Sequence, residues 1–433
     1  VSMLRLLKAE LFKLFKNKTF IVLCLICLLL AGVIGFLHID SRPLWSPFAM
    51  PAVLQVEEEP GAQPISKSKP LVIPSVANPL ATWLPDTGAA SVHAASLIAL
   101  NDGAVRAFWF AGSREGAPDV VINTAVLDPK SNAWGAPSVV IDRVTAEKGL
   151  SRYIAKLGNP VPVRLADGRL QLFFVTVSIG GWAGSSISTM FSEDEGATWT
   201  RPQRLITSPF FNLSTLVKSP TVVFADGRLG LPAYHEWIGR FGEFLRLDAA
   251  QVLDKRRMSA GRSAIQPVMF IGDAQSASAF FRQTRSARQP KQIPVSATQN
   301  AGQSWQSLGD LEIPNPNSAV AGVLLRNGVR LLVLNNIEAG RYRLVLMMSN
   351  PKSGEWHIVE TIENDEALPE QERKEFSYPY LLSAHGDDAH LVYTWDRKKI
   401  RHAYFSSAWL DRAYKQLPSA TEKQSATELG EAQ

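Results

Sequence analysis

VPVRLADGRLQLFFVTV (161–177) reads as two apolar runs joined by Asp167-Gly168. Asp-Gly between such runs supplies the positive φ angles that a tight two-residue hairpin turn requires. SPTVVFADGRLGLPAY (219–234) and AVAGVLLRNGVRLLVLNN (319–336) repeat the arrangement. Turn dipeptides of this kind recur six times, at Asp102-Gly103, Asp167-Gly168, Asp226-Gly227, Gly272-Asp273, Asn327-Gly328 and Gly386-Asp387, spaced 65, 59, 46, 55 and 59 residues apart. A period of roughly 50 residues with about four strands per unit predicts a propeller and excludes a solenoid of helix pairs. The expected fold class is therefore all-β, a six-bladed β-propeller with an N-terminal transmembrane helix. A β-sandwich with coincidental turn spacing is the alternative.

A second signal falls later in the repeats. Ser192-Glu193-Asp194-Glu195-Gly196-Ala197-Thr198-Trp199 is a full S-x-D-x-G-x-T-W, and Thr298, Asn300, Gly302, Ser304 and Trp305 form a relaxed copy. More degenerate versions end at Trp134 and Trp356. The Asp or Asn caps a turn, Gly takes the left-handed position and Trp packs between blades, so these residues are structural. The full copy resembles the Asp-box (BNR repeat) of the sialidase, or neuraminidase, superfamily. The phrases LPAYHE (231–236), IPNPNSAV (313–320) and YPYLLSAHGDDAHLVYTW (378–395) are similar to its bacterial predicted-neuraminidase branch.

The apolar run FIVLCLICLLLAGVIGFL (20–37) is long enough to span a bilayer. Arg5, Lys8, Lys13, Lys16 and Lys18 precede it against a single Glu10. By the positive-inside rule this basic segment (1–19) is cytoplasmic. The chain is thus expected to be single-pass in the inner, cytoplasmic membrane, with the propeller on the extracytoplasmic, periplasmic side. A cleaved signal peptide is the rival, but no small-x-small site stands between Gly35 and Asp40. Residues 38–91 are proline-dense and read as a linker, of which 52–56 can add a strand to the ring. The propeller is expected over 92–414, and 415–433 as a disordered polar tail. Both cysteines, Cys24 and Cys27, lie in the apolar run, which removes disulfide, thiolate and zinc-thiolate chemistry from the rest. A net charge of +5 is too weak and dispersed to indicate nucleic acid. No cofactor motif is found, and HGDDAH (385–390), the nearest metal-like string, reads as turn chemistry.

In a propeller the innermost strands line a channel, and a hairpin returns to the end from which it started. Residues eight to ten before each turn and about ten after it therefore gather on one face. The first-strand starts contribute His93, Asn159, Lys218, Gln266, Asn317 and Tyr378, and the second-strand ends Arg114, Trp182, His235, Glu236, Arg282, Asn336 and Arg397. Such a ring suits hydroxyls and an anionic group, because Arg grips carboxylate bidentately and Asn both donates and accepts.

The resemblance implies an exo-α-sialidase type of retaining glycosidase with a Tyr nucleophile, acting on a terminal acidic sugar. Tyr378 matches the nucleophile position best, Asp119 is similar in placement to the acid/base and Arg282 looks like one of the Arg cluster. Where the family has its first Arg this sequence reads SVHAAS around His93, Gln266 stands in place of the base Glu, and the third Arg position reads Asn. Glu236 is then the candidate base and Arg114 an additional cation. Two alternatives stay open. One is β-elimination from a uronic-acid polymer with His93 or His235 as base; the other is a non-catalytic glycan-binding envelope protein. A glycan or polysaccharide is the partner in each.

Overall fold

Hairpins form at the turn dipeptides, but their loops have three residues rather than two. Leu100, Leu165, Phe224 and Leu325 each donate from the backbone to the residue four further on, and accept from Gly103, Gly168, Gly227 and Gly328. Those glycines sit at φ of 89°, 90°, 78° and 81°. The preceding Asp102, Asp167, Asp226 and Asn327 side chains each accept from the backbone two residues on. This is a type I turn closed by a left-handed residue, which explains why glycine is needed in second place of the dipeptide.

The computed structural model describes residues 18–40, 45–50, 65–66, 69–72, 80–208, 212–285, 290–384 and 386–418. Six radial sheets form the propeller. The first blade runs Ser91–Ala99, Val105–Gly112 and Val121–Asp128, with Ala133–Trp134 and Ser138–Ile141 outermost. The second is Lys156–Arg164, Leu170–Val177, Ser185–Ser192 and Gln203–Arg204. In the third the inner strand is split into Leu216–Val217 and Val222–Val223, followed by Leu229–His235, Phe241–Asp248 and Gln251–Arg257. The fourth comprises Ala264–Ile271, Ala277–Gln283, Gln292–Thr298 and Gln306–Pro314. Ala321–Leu324, Arg330–Leu334, Arg343–Ser349 and Trp356–Asn364 make the fifth. The sixth has Phe376–Ala384, Asp388–Trp395 and Lys399–Phe405 from its own repeat.

The missing outer strand of the sixth blade comes from the other end of the chain: Leu80–Trp83 pairs antiparallel with Lys399–Phe405. Leu71–Val72 adds a parallel strand to the fifth blade, and Phe48 is buried in a stack on Phe224, 5.3 Å between ring centroids. The stretch expected to be a linker therefore contributes to the folded body, although residues 52–56, expected to supply a strand, lie outside the described residues. At the other end the helix Ser407–Lys415 packs Trp409, Leu410 and Ala413 into the core, so order continues past 414; residues 419–433 of the expected tail are not among those described.

Between blades the core is continuous apolar packing. Phe108 and Phe110 meet Leu157 and Phe174 between blades one and two, and Phe270 and Phe280 meet Met347 and Trp356 between four and five. The S-x-D-x-G-x-T-W turn fastens this packing. Ser192 Oγ accepts from the Gly196 N–H at 2.8 Å, Asp194 Oδ1 from the Thr198 N–H at 2.8 Å, and Trp199 Nε1 donates to the Gly196 carbonyl at 3.1 Å. Thr298, Asn300 and Trp305 make the same three bonds. Each Trp then meets the preceding blade edge-on, Trp199 on Phe108 and Trp305 on Phe244, both at 5.8 Å.

Apart from this body, the helix Lys18–Asp40 is long and apolar enough to cross a membrane, with mean hydropathy 2.5 over Lys18–Gly35. Because closure of the ring uses Leu80–Trp83, a fragment starting at Val92 leaves Lys399–Phe405 as an open edge. It is expected to melt at lower temperature and to self-associate more than one starting at Ser46, and equal melting temperatures and elution volumes would contradict this account of closure.

Candidate functional site at the channel mouth

The strands that line the channel share a local distortion. Register shifts interrupt the first hairpin of blades one, two, four and six between His93 and Ser96, Gly158 and Val161, Ile265 and Val268, and Ser377 and Tyr380. At these breaks Ala94, Asn159, Gln266 and Tyr378 hold φ of 49°, 46°, 53° and 51°, and Asn317 holds 65° just before the fifth inner strand. Each break is a bulge that re-aims one side chain. Blade one thus offers Ala94, a methyl group, where the others offer Asn, Gln or Tyr, and the expected contribution of His93 shifts by one residue.

Four of these side chains are joined by hydrogen bonds. Arg282, at the end of the second strand of blade four, donates Nε to Asn317 Oδ1 at 2.8 Å and Nη1 to Gln266 Oε1 at 3.3 Å and Tyr378 Oη at 3.5 Å. Gln266 in turn donates Nε2 to Tyr234 Oη at 3.3 Å, and Asn159 donates Nδ2 to the same phenol at 3.3 Å and to the Val217 carbonyl at 3.0 Å. Tyr234 is buried, and burial drives its phenol well above the usual range. Its place in LPAYHE gave no sign of this role. The network therefore links blades two to six, and among the described residues no carboxylate forms an ion pair with Arg282.

Glu236, the candidate base, follows His235 at the end of the second strand of blade three. Burial raises its pKa, opposed by the charges of Arg282 and Arg240, and its backbone N–H is fixed by Ser214 Oγ at 2.8 Å. Lys218 does not reach the mouth. It is buried beneath it, bonding the Val320 and Pro379 carbonyls, and burial together with Arg282 pulls its pKa down to about 7.

Other expected members are placed differently. His93 is only 1% exposed, with its ring 4.3 Å from that of Tyr378, and burial with the charge of Arg397 lowers its pKa to about 3. His235 stacks on Phe241 at 4.7 Å and its Nε2 accepts the Ile238 N–H at 3.1 Å, so it shapes its own hairpin. Alternation along the strand sends it to the face opposite Tyr234. Arg397 is tied to Glu375 and Glu115, and Arg341 also pairs with Glu375. Neither is a free anion binder. Arg341, Glu375 and Glu115 escaped the sequence reading because they lie off the counted strand-end positions.

Asp119 is exposed and accepts both the N–H and the hydroxyl of Ser113 at 2.9 Å, the latter bond being the main cause of its lowered pKa. Arg114 lies exposed in the same loop, its charge also favouring ionised Asp119. Asn336 is half-buried with Oδ1 unbonded, while its neighbour Asn335 donates to the carbonyls of Arg343 at 2.8 Å and Phe376 at 2.9 Å. The blade-joining Asn is thus one residue earlier than expected. Among the described residues no three His, Cys, Asp or Glu side chains gather as metal ligands would.

A family model described as a BNR repeat-like domain matches residues 103–391. No curated protein sequence matches. Solved structures share the fold at low identity. A Hadza microbial sialidase aligns with TM-score 0.58 and 12% identity over 73% of this chain and 66% of that one, just under two thirds of its length. The intramolecular trans-sialidase of Ruminococcus gnavus aligns with TM-score 0.58 and 14% identity over 78% and 99%. A protein of unknown function from Dyadobacter fermentans aligns with TM-score 0.59 and 11% identity over 77% and 99%.

The rim carboxylates make a pH prediction. Burial pushes Glu375 up, but Ser377 and Arg397, with the charge of Arg341, outweigh it and hold its pKa at about 2. A pKa depressed by folding stabilises the fold above the unfolded value, and that contribution is lost as pH falls from about 4.5 towards 2. In melts between pH 6 and pH 3, Glu375→Gln is expected to start less stable and to fall less steeply than the parent; parallel curves would refute the assignment.

Proposed function

This chain belongs to the BNR repeat-like family of the sialidase superfamily, and we propose that its channel mouth takes the terminal acidic sugar of a glycan and cleaves it as a retaining exo-glycosidase. The observation that carries the reading is Arg282, bonded among the described residues only to neutral partners, its Nη1 3.5 Å from the Tyr378 phenol oxygen. A guanidinium with no carboxylate partner binds an incoming carboxylate without first breaking an ion pair.

In the proposed reaction Tyr378 Oη attacks the anomeric carbon while its proton passes to Glu236. A neutral phenol suits this attack, because an anionic nucleophile would be repelled by the sugar's own carboxylate. Asp119 protonates the departing oxygen, and water later releases the sugar from the tyrosine. The basic flank before Lys18–Asp40 supports a periplasmic side for the pocket.

A non-catalytic glycan-binding role is favoured by one observation: the bonds from Ser113 that hold Asp119 ionised oppose its use as an acid. Uronate elimination has less support, since His93 is buried with a depressed pKa and His235 is engaged by Ile238.

Terminal sialosides and uronosides incubated with the protein are expected to release free acidic sugar without the near-ultraviolet absorbance of an unsaturated product. Tyr378→Phe is expected to lower turnover by about a thousandfold or more while affinity changes by less than about threefold. Arg282→Met is expected to weaken affinity for the acidic sugar by at least about tenfold, the scale of a lost charge-assisted bond. Unimpaired turnover in Tyr378→Phe would overturn the mechanism, and calorimetric binding to an uncleaved glycan would favour the binder.

A further inference from the structure

Lys218 leaves the inner strand of blade three and is 6% exposed. Its Nζ donates to the Val320 carbonyl at 2.9 Å, where blade five begins, and to the Pro379 carbonyl of blade six. One side chain therefore joins three blades across the channel. Among the described residues it has no carboxylate partner. A buried ammonium is expensive to retain, and an apolar side chain of similar length would fill the same space.

What its bonds hold is specific. Pro379 follows Tyr378, and both lie inside the register shift between Ser377 and Tyr380, where neither residue is paired with the neighbouring strand. Tyr378 also stands at φ 51°, a conformation that an aromatic residue rarely adopts unless its surroundings enforce it. Sheet pairing thus fails just where the backbone is least favourable, and Lys218 supplies the bond there.

We propose that Lys218 is a positioning residue that clamps the Tyr378–Pro379 turn from below, so that the phenol is presented to Arg282 and to the bound sugar. The proposal rests on the reading of Tyr378 as the nucleophile.

The test compares the full chain with Lys218→Met and Lys218→Arg by hydrogen exchange and kinetics. In Lys218→Met, exchange over 376–384 is expected to rise at least about tenfold while 156–164, the equivalent strand of blade two, stays within about twofold; kcat falls at least about tenfold with KM within about threefold. Lys218→Arg, which keeps donors and charge, should restore both. If Lys218→Met does not fold, Lys218→Gln, whose amide is too short to reach both carbonyls, should show the same selective loss. Exchange that is unchanged, or raised equally in all blades, overturns the proposal, as does selective loosening with turnover intact. If the parent cleaves no acidic glycoside, the glycosidase reading falls and the exchange pattern alone decides the role of Lys218.

Discussion

Side chains from separate blades meet at the channel mouth only if the backbone turns them out of the strand ladder. In blades one, two, four and six a break in the ladder turns Ala94, Asn159, Gln266 and Tyr378 into the left-handed region, and in blade five Asn317 does so just before the inner strand. Asn tolerates that conformation; Gln and Tyr do so less readily, at a strain on the order of 1–3 kcal/mol each. Such strain persists only where neighbours over-determine it. Here the bonds among Arg282, Gln266, Tyr234, Asn317 and Tyr378 do so.

Charge is sorted by position around this constraint. On the rim, Arg341 and Arg397 are neutralised by Glu375 and Glu115. At the centre, among the described residues, Arg282 and Lys218 are hydrogen-bonded to neutral groups, and Arg282 also feels the charge of Glu236. A paired rim contributes rigidity, whereas an unpaired centre keeps a positive potential that an anion can satisfy.

Much of the fold was legible because turn chemistry is local. Asp102-Gly103 and its five counterparts, with Thr298 to Trp305 as a second marker, announce blades through residues only a few positions apart. The closing strand was not, because Leu80–Trp83 pairs with a segment over three hundred residues away and no local feature of LATW names its partner. Counting from the turns named Asn159, Gln266, Arg282, Asn317 and Tyr378, which one hydrogen-bond network joins through Tyr234. In blade one a bulge shifts the count by one, from His93 to Ala94, and in blade five Asn335 rather than its neighbour Asn336 bonds to the next blade. Strand alternation sets His235 apart from Tyr234, a distinction that the sequence could have carried had the register been known.

Ring closure also orders events in time. During synthesis Leu80–Trp83 emerges early, yet its partner Lys399–Phe405 appears only after every blade has been made. Until then blades one to five can collapse on one another in sequence, while a strand-forming segment stays unpaired and the last sheet stays unfinished. Closing the ring therefore waits on the pairing of two segments far apart in the chain, and an arc of blades with an unpaired edge must precede it.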